Sequence, residues 1–271
     1  MMSEPQLSSA PGRPPARDDR GFLDFEDRWV VVTGASSGIG RAVAIELARH
    51  GARLILVGRN AGRLAETAAA LGGADHRELV LDLARHDLIA AAIADARRDT
   101  GLLYGLCHAA GIVETRPLST NTVQVVQSQL DVNVLAGLEL ARAVCRRDAM
   151  SPEGGSVLFI ASIYGWVGMP GQIGYCATKG ALAAAARAMA IELARRRIRV
   201  NTLSPGLVLT QMTEEALGKL SSEQVDKLKG AYPLGVGRPE DVARAAVFLL
   251  APSTGWITGV DLPVDGGYTA Q

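Results

Sequence analysis

The strongest constraint in this chain is an alternation: from Trp29 onward, short β-branched runs are separated by longer segments with helical periodicity. Parallel strands can be joined only by crossovers long enough to hold a helix, so such an alternation demands a parallel sheet. Strands are expected at residues 29–33, 53–57, 77–81, 103–109, 156–161, 199–203 and 260–264. The first and fifth are near-continuous apolar runs, which suits strands covered on both faces. Helices are expected at 39–50, 60–71, 87–99, 122–147, 174–195 and 240–250, the last led by Pro239 at a first-turn position. The fold class is therefore α/β, a single doubly wound parallel seven-stranded sheet with helices on both faces.

At 271 residues the chain suits one domain over 27–271. Residues 1–26 are polar, rich in Pro and Arg and without an apolar stretch, and are read as a disordered tail rather than a signal peptide. The charged segment at about 207–231 interrupts the alternation and reads as a lid over a site. Lys+Arg 28 balance Asp+Glu 28, so the basic excess that draws nucleic acid or an anionic membrane is missing. Charged residues break every long apolar run, which excludes a transmembrane helix, and three widely spaced cysteines fit a reducing cytoplasm. Cys107, Cys145 and Cys176 form no CxxC pair, which argues against a disulfide framework and a structural metal site.

Directly after the first strand stands Thr33-Gly34-Ala35-Ser36-Ser37-Gly38-Ile39-Gly40, followed by an amphipathic helix. Glycines let the backbone approach a pyrophosphate, and the helix N-terminus offers free N–H groups and a positive dipole end, so Gly34, Ser36, Ser37, Gly38, Ile39 and Gly40 are candidate dinucleotide ligands. Where the second strand ends, the chain reads Gly58-Arg59-Asn60. A carboxylate there would bind a ribose 2′-hydroxyl, whereas Arg59 suits a 2′-phosphate, so NADP(H) is expected over NAD(H). Asp82, followed by Leu83, can reach an adenine edge or cap the next helix.

The fifth strand runs into Ser162, and Tyr175 and Lys179 follow at helical i, i+4 spacing, which places phenol and ammonium on one face. A nearby cation favours the phenolate, so a Tyr175 pKa lowered from about 10 is expected, with Tyr175 as acid or base. The chain uses Arg 24 times and Lys only four times, and Lys179 is the sole Lys before residue 219. A compact ammonium can bond two ribose hydroxyls beneath a phenolate; a wide guanidinium cannot.

TGASSGIG, Asn133, Ser162, Tyr175-xxx-Lys179 and Pro205-Gly206 together resemble the short-chain dehydrogenase/reductase family, in its order and spacing, from about Asp27 to Tyr268. The likeness extends to members acting as 3-oxoacyl-carrier-protein reductases. It implies a Rossmann-type fold, Tyr175 as general acid/base, Ser162 as the hydroxyl that polarises a substrate carbonyl, and Lys179 as ribose ligand and pKa modulator. It further implies Asn133 as holder of a proton-relaying water. Ala110 and Gly111 are implied beside the ribose, and Pro205, Gly206 and Val208 beside the nicotinamide. A homotetramer or homodimer is expected from the family habit and from the Ala-rich run between Ala181 and Ala190.

One departure stands out: where the family commonly has Asn-Asn-Ala-Gly, this chain reads His108-Ala109-Ala110-Gly111. Ala109 lacks the sheet-bracing amide, and His108 is read as a hydrogen-bonded structural residue. The apolar and aromatic segment 163–170, with Leu207, Val208, Leu209 and Met212, predicts a small-molecule carbonyl or alcohol substrate of apolar character. Carrier-bound substrates are weakened by Ile191, where such relatives often carry Arg, though Arg142, Arg146 and Arg147 can serve. The rival readings are an NAD-dependent alcohol dehydrogenase and a non-catalytic dinucleotide-binding regulatory protein.

Overall fold

Every residue of β1 (Trp29–Thr33) is buried, and the strand's two-residue period sends Val30 and Val32 into one apolar layer and Val31 into the other. The same division runs through the sheet. The computed structural model describes residues 21–26, 28–72, 75–218 and 220–271, so residues 1–20 of the expected tail lie outside the described residues.

Among the described residues seven strands form one wholly parallel sheet in the order β3-β2-β1-β4-β5-β6-β7. The others are β2 (Arg53–Gly58), β3 (Arg77–Val80), β4 (Leu103–His108), β5 (Gly155–Ile160), β6 (Ile198–Pro205) and β7 (Asp261–Val264). Helices α1 (Gly38–Arg49), α2 (Ala61–Leu71) and α3 (His86–Thr100) follow the first three strands. After β4 come α4 (Val123–Leu130) and α5 (Ala136–Val144), after β5 α6 (Ile173–Leu193), and after β6 α7 (Gln211–Leu217), α8 (Ser222–Gly230) and α9 (Pro239–Leu250). Leu47 of α1, Leu64 of α2 and Leu250 of α9 enter the layer of Val30 and Val32; Ile89 and Ile93 of α3, Leu140 of α5 and Leu182 of α6 enter that of Val31. The strand order reverses between β1 and β4, and in such sheets the crevice for a ligand opens beyond the carboxyl ends of those strands.

Two expectations change. Phe25 was placed in the tail, yet it is fully buried, edge-on to Tyr104 at 6.1 Å between ring centroids, and Phe22 rests against Phe248 at 6.3 Å. Apolar rings need cover, so the folded body takes in residues ahead of Asp27. The helix expected over 122–147 is broken by a π-helical turn at Asp131–Leu135, with Asn133 at its centre. The segment expected as a lid contains α7 and α8, whose N-termini are capped by Thr210 and Ser221.

Arg199 of β6 is buried and bonds the carbonyl oxygens at the end of α9: Leu249 at 2.6 Å, Leu250 at 3.1 Å and Ala251 at 2.9 Å. The last carbonyls of a helix have no partner within it and carry its negative dipole end, so a buried guanidinium both satisfies and neutralises them.

Candidate active site

The glycine loop is shaped by contacts that leave no room for side chains. Gly34 has φ 66°, and a Cβ there would lie 2.9 Å from Ala110 N; one at Gly40 would lie 2.4 Å from Gly34 O. Ser37 precedes α1 without a side-chain cap bond, and the first turn holds no acidic residue, so its N–H groups and positive dipole end stay available to an anion. A cradle of this form fits a dinucleotide pyrophosphate. Arg59 is exposed at the end of β2 and has no ion pair or side-chain hydrogen bond among the described residues. A Cβ on Gly58 would sit 3.4 Å from Ser36 Oγ, so Ser36 borders the same corner as Arg59. Asp82 is exposed and accepts from Ala84 N at 3.1 Å, while Leu83 is buried beneath it.

Beyond β5 the reacting candidates converge. Ser162 and Lys179 are buried, and Tyr175 is partly exposed one turn into α6. Lys179 Nζ donates to the Ile160 carbonyl at 2.8 Å and lies 5.4 Å from the Tyr175 ring centroid. A Cβ on Gly111 would meet Asn133 Oδ1 at 3.3 Å and Lys179 Nζ at 3.6 Å, which brings the β4 loop, the π turn and α6 to one point. Asn133 is fully buried; Oδ1 accepts from Ile112 N at 2.8 Å, and Nδ2 donates to Ile112 O at 2.9 Å and to Thr178 Oγ1 at 3.1 Å. Pro205 ends β6, Gly206 N donates to Val264 O at 3.0 Å, and buried Val208 bridges to Gly237.

The expectation of a lowered Tyr175 pKa is corrected. Burial pushes the phenol up to about 12, with a Ser162 hydrogen bond working against it. The ammonium faces Ile160 rather than the phenol oxygen, and burial brings Lys179 itself down to about 8. The arrangement therefore presents two adjacent hydroxyls, able to meet one carbonyl oxygen, with a desolvated ammonium behind them.

His108 is hydrogen-bonded at the end of β4. Its Nδ1 pairs with Thr33 Oγ1 at 3.0 Å, Ala110 N donates to the same oxygen at 3.1 Å, and the ring meets Phe159 edge-on. Burial first, and the Lys179 charge second, push its pKa down to about 4, so it is neutral at physiological pH.

A family model described as enoyl-(acyl carrier protein) reductase matches residues 34–269. The 3-oxoacyl-[acyl-carrier-protein] reductase of Bos taurus is 37% identical over 242 residues, 89% of this chain and 98% of that protein. The chain belongs to the short-chain dehydrogenase/reductase family. Its relatives include 2-(S)-hydroxypropyl-CoM dehydrogenase 3 of Xanthobacter autotrophicus, 36% identical over 91% of this chain and 98% of that one. A solved structure titled as a putative NAD(P)-dependent gluconate 5-dehydrogenase from Beutenbergia cavernae with bound NADP superposes with a TM-score of 0.86 at 32% identity, covering 93% of this chain and all of that one. The protein is thus a family oxidoreductase of the NAD(P)-dependent kind, and among the described residues no helix is long and apolar enough to cross a membrane.

In this short-chain dehydrogenase/reductase, sequence reasoning missed Tyr232 and Tyr268. Tyr232, after α8, accepts from Leu207 N at 3.0 Å and stacks on Tyr268 at 4.8 Å. With Tyr164 and Tyr175, four of the five tyrosines lie in the segments that follow β5, β6 and β7; in a chain with 4% aromatics, that clustering along the sequence was the signal. Thr210 was also missed: its Cγ2 would be 3.4 Å from a Cβ on Gly38, so the start of α7 overlies the glycine loop. Trp166, expected along the substrate pocket, donates its indole N–H to Asp261 at 2.6 Å, because that group needs a partner and β7 supplies one. A cavity of about 310 Å³ opens beside the Gly206 turn, lined by Leu207, Val208, Leu234, Val236 and Asp265 among others.

Proposed function

We propose that this enzyme is NADP(H)-preferring and interconverts a carbonyl and a secondary alcohol on an apolar or partly apolar substrate. The meeting of Ser162, Tyr175 and Lys179 beyond β5, beside the Gly111 loop, carries the reading. Gly34, Ser36, Ser37, Gly38, Ile39 and Gly40 would hold the pyrophosphate, Arg59 the 2′-phosphate, and Asp82 and Leu83 the adenine end. Ala110, Gly111 and Lys179 would hold the ribose, and Pro205, Gly206 and Val208 the nicotinamide. Bound there, the cofactor supplies or accepts a hydride.

Ser162 Oγ donates a hydrogen bond to the substrate carbonyl oxygen, and Tyr175 passes its phenolic proton to that oxygen as the carbon is reduced. Burial keeps Tyr175 protonated, so in this direction the acid is ready. Lys179 stabilises the phenolate left behind. Asn133's side chain is committed to Ile112 and Thr178, so its main chain is what remains to hold a water that returns a proton through Lys179. In oxidation the same groups run in reverse, Tyr175 accepting the alcohol proton.

The carrier-bound version finds support in the 3-oxoacyl-[acyl-carrier-protein] reductase relatives. Arg142 and Arg146 are paired with Glu139 and Asp148, which leaves Arg147 as the free cation of that trio among the described residues. Self-association is supported by Trp256, 96% exposed, and Ile191, 80% exposed; a dimer or tetramer by light scattering is the expected result.

The deciding experiment is turnover of NADPH and NADH with a panel of ketones and their alcohols, with Tyr175→Phe as control. NADPH-dependent ketone reduction abolished in that variant supports the reading. Preference for NADH with alcohols favours the NAD-dependent dehydrogenase, and NADP binding without any turnover favours a regulatory protein.

A further inference from the structure

The 3₁₀ turn Ile163–Gly165 has Ser162 at its start and Trp166 at its end. Ser162 Oγ accepts from Tyr164 N at 3.2 Å, Gly165 N donates to the Ser162 carbonyl at 2.9 Å, and Trp166 N donates to the Ile163 carbonyl at 2.8 Å. Ser162 and Trp166 thus belong to one short, internally bonded unit. One flank of that unit lies on α6, where a Cβ on Gly165 would be 3.1 Å from Lys179 C and from Gly180 N. The other flank is held by a carboxylate: Trp166 Nε1 donates to Asp261 Oδ2 at 2.6 Å.

Asp261, the first residue of β7, turns its second oxygen to a different part of the site. Oδ1 accepts from Ser204 Oγ at 2.7 Å, and Ser204, fully buried in β6, directly precedes the Pro205-Gly206 turn. Both donors are neutral and the acceptor is a carboxylate, a pairing that makes short hydrogen bonds about twice as strong as neutral ones. The carboxylate is rigid and planar, so it holds the two donors at a fixed separation. The backbone of β6 already pairs with that of β7 from Thr202 to Pro205, so these side-chain bonds are additional to the sheet. What they join is the turn that begins at Ser162 and the strand end that leads into the Gly206 turn.

We infer that Asp261 is a positioning residue that fixes the Ser162 turn relative to the Gly206 turn, and so sets the substrate carbonyl against the nicotinamide. The inference rests on the reading of Ser162 and of Pro205, Gly206 and Val208 given above, and Asp261 itself touches no reacting atom. Reacting atoms must meet in near contact, and a misplacement of about 1 Å can cost about 100-fold in rate. The pyrophosphate cradle lies on other loops, so loss of the bridge shows in turnover rather than in cofactor binding.

The test uses the full chain with NADPH and a ketone that wild type reduces. Asp261→Ala is expected to lower kcat about tenfold or more while cofactor Kd and substrate KM stay within about threefold. Asp261→Asn, whose amide oxygen still accepts from the indole and whose nitrogen can donate to Ser204 Oγ, is expected to keep kcat within about threefold of wild type. Residues that act through one bond are non-additive, so Trp166→Phe combined with Asp261→Ala should be no slower than Asp261→Ala alone. If Asp261→Ala fails to fold, Trp166→Phe and Ser204→Ala each delete one arm of the bridge, and wild-type kcat in both would overturn the inference. A readout independent of turnover is the indole N–H proton resonance of Trp166, identified by its loss in Trp166→Phe. It should move upfield in Asp261→Ala and stay near its place in Asp261→Asn. A folded Asp261→Ala with wild-type kcat, an Asn variant as slow as Ala, multiplied losses in the double variant or an unmoved indole resonance would each overturn the inference. Full activity in Tyr175→Phe would instead sink the reading of the site, and the double variant and the indole resonance would still decide the role of Asp261.

Discussion

Lys179 Nζ bonds the Ile160 carbonyl at 2.8 Å and stands 5.4 Å from the centre of the Tyr175 ring, so the ammonium is tethered to β5 rather than to the phenol. The phenol thus keeps its proton. Tyr175→Phe is expected to fold and to bind cofactor normally but to lose about 10²–10⁴-fold in kcat/KM, the usual contribution of a general acid or base. Steady-state kinetics beside a cofactor titration checks this, and a loss below about threefold would rule out the assigned role.

Arg59 faces solvent without a partner among the described residues, next to Ser36. Charge-assisted hydrogen bonds to a 2′-phosphate contribute roughly 1.5–3 kcal/mol each, so wild type is expected to prefer NADPH over NADH by about 10–150-fold. In Arg59→Ala the ratio of kcat/KM for the two cofactors should fall towards unity. An unchanged ratio would remove Arg59 as the selector.

Arg199 satisfies the carbonyls of Leu249, Leu250 and Ala251 from inside the protein. Each of these oxygens also accepts from a second group, Ser156 Oγ, Tyr104 OH and Thr254 Oγ1 respectively. Arg199→Met therefore keeps much of the volume and removes the charge-assisted bonds, at about 1.5–3 kcal/mol, without orphaning the carbonyls. A loss of about 1.5–3 kcal/mol in urea unfolding is expected. A variant within about 0.5 kcal/mol of wild type would show that water replaces the guanidinium at no loss.

His108 makes the fold acid-sensitive. Its pKa falls from 6.5 to about 4 on folding, through burial and then the Lys179 charge. Above pH 6.5 both states are neutral there and its contribution is complete. Between pH 6.5 and 4 the unfolded chain takes up a proton that the folded one refuses, so stability declines by about 1.4 kcal/mol per pH unit, roughly 3 kcal/mol in all. Urea unfolding at several pH values should show a slope shallower by about one proton in His108→Gln. Equal slopes in variant and wild type would mean that His108 titrates normally.

The glycine loop, the Ser162 strand end and the Tyr175/Lys179 spacing were legible because each depends on neighbours close in the chain. A strand, a tight turn and a helix N-terminus are written in local residue types, and i, i+4 puts two side chains on one face whatever surrounds them. The parallel sheet followed from strand and helix periods alone.

What only the tertiary structure decided involves partners far apart. Thr33 and His108 are 75 residues apart and Trp166 and Asp261 are 95, and no periodicity announces either bond. The π turn at Asn133 lies inside a segment whose periodicity reads as unbroken helix, and it shows only where the turn meets Ile112 and Thr178. The Tyr175 pKa was misjudged for the same reason. Spacing places the ammonium on the same face as the phenol, but burial and the Ile160 carbonyl determine the charge each group carries, and both are properties of the packed interior.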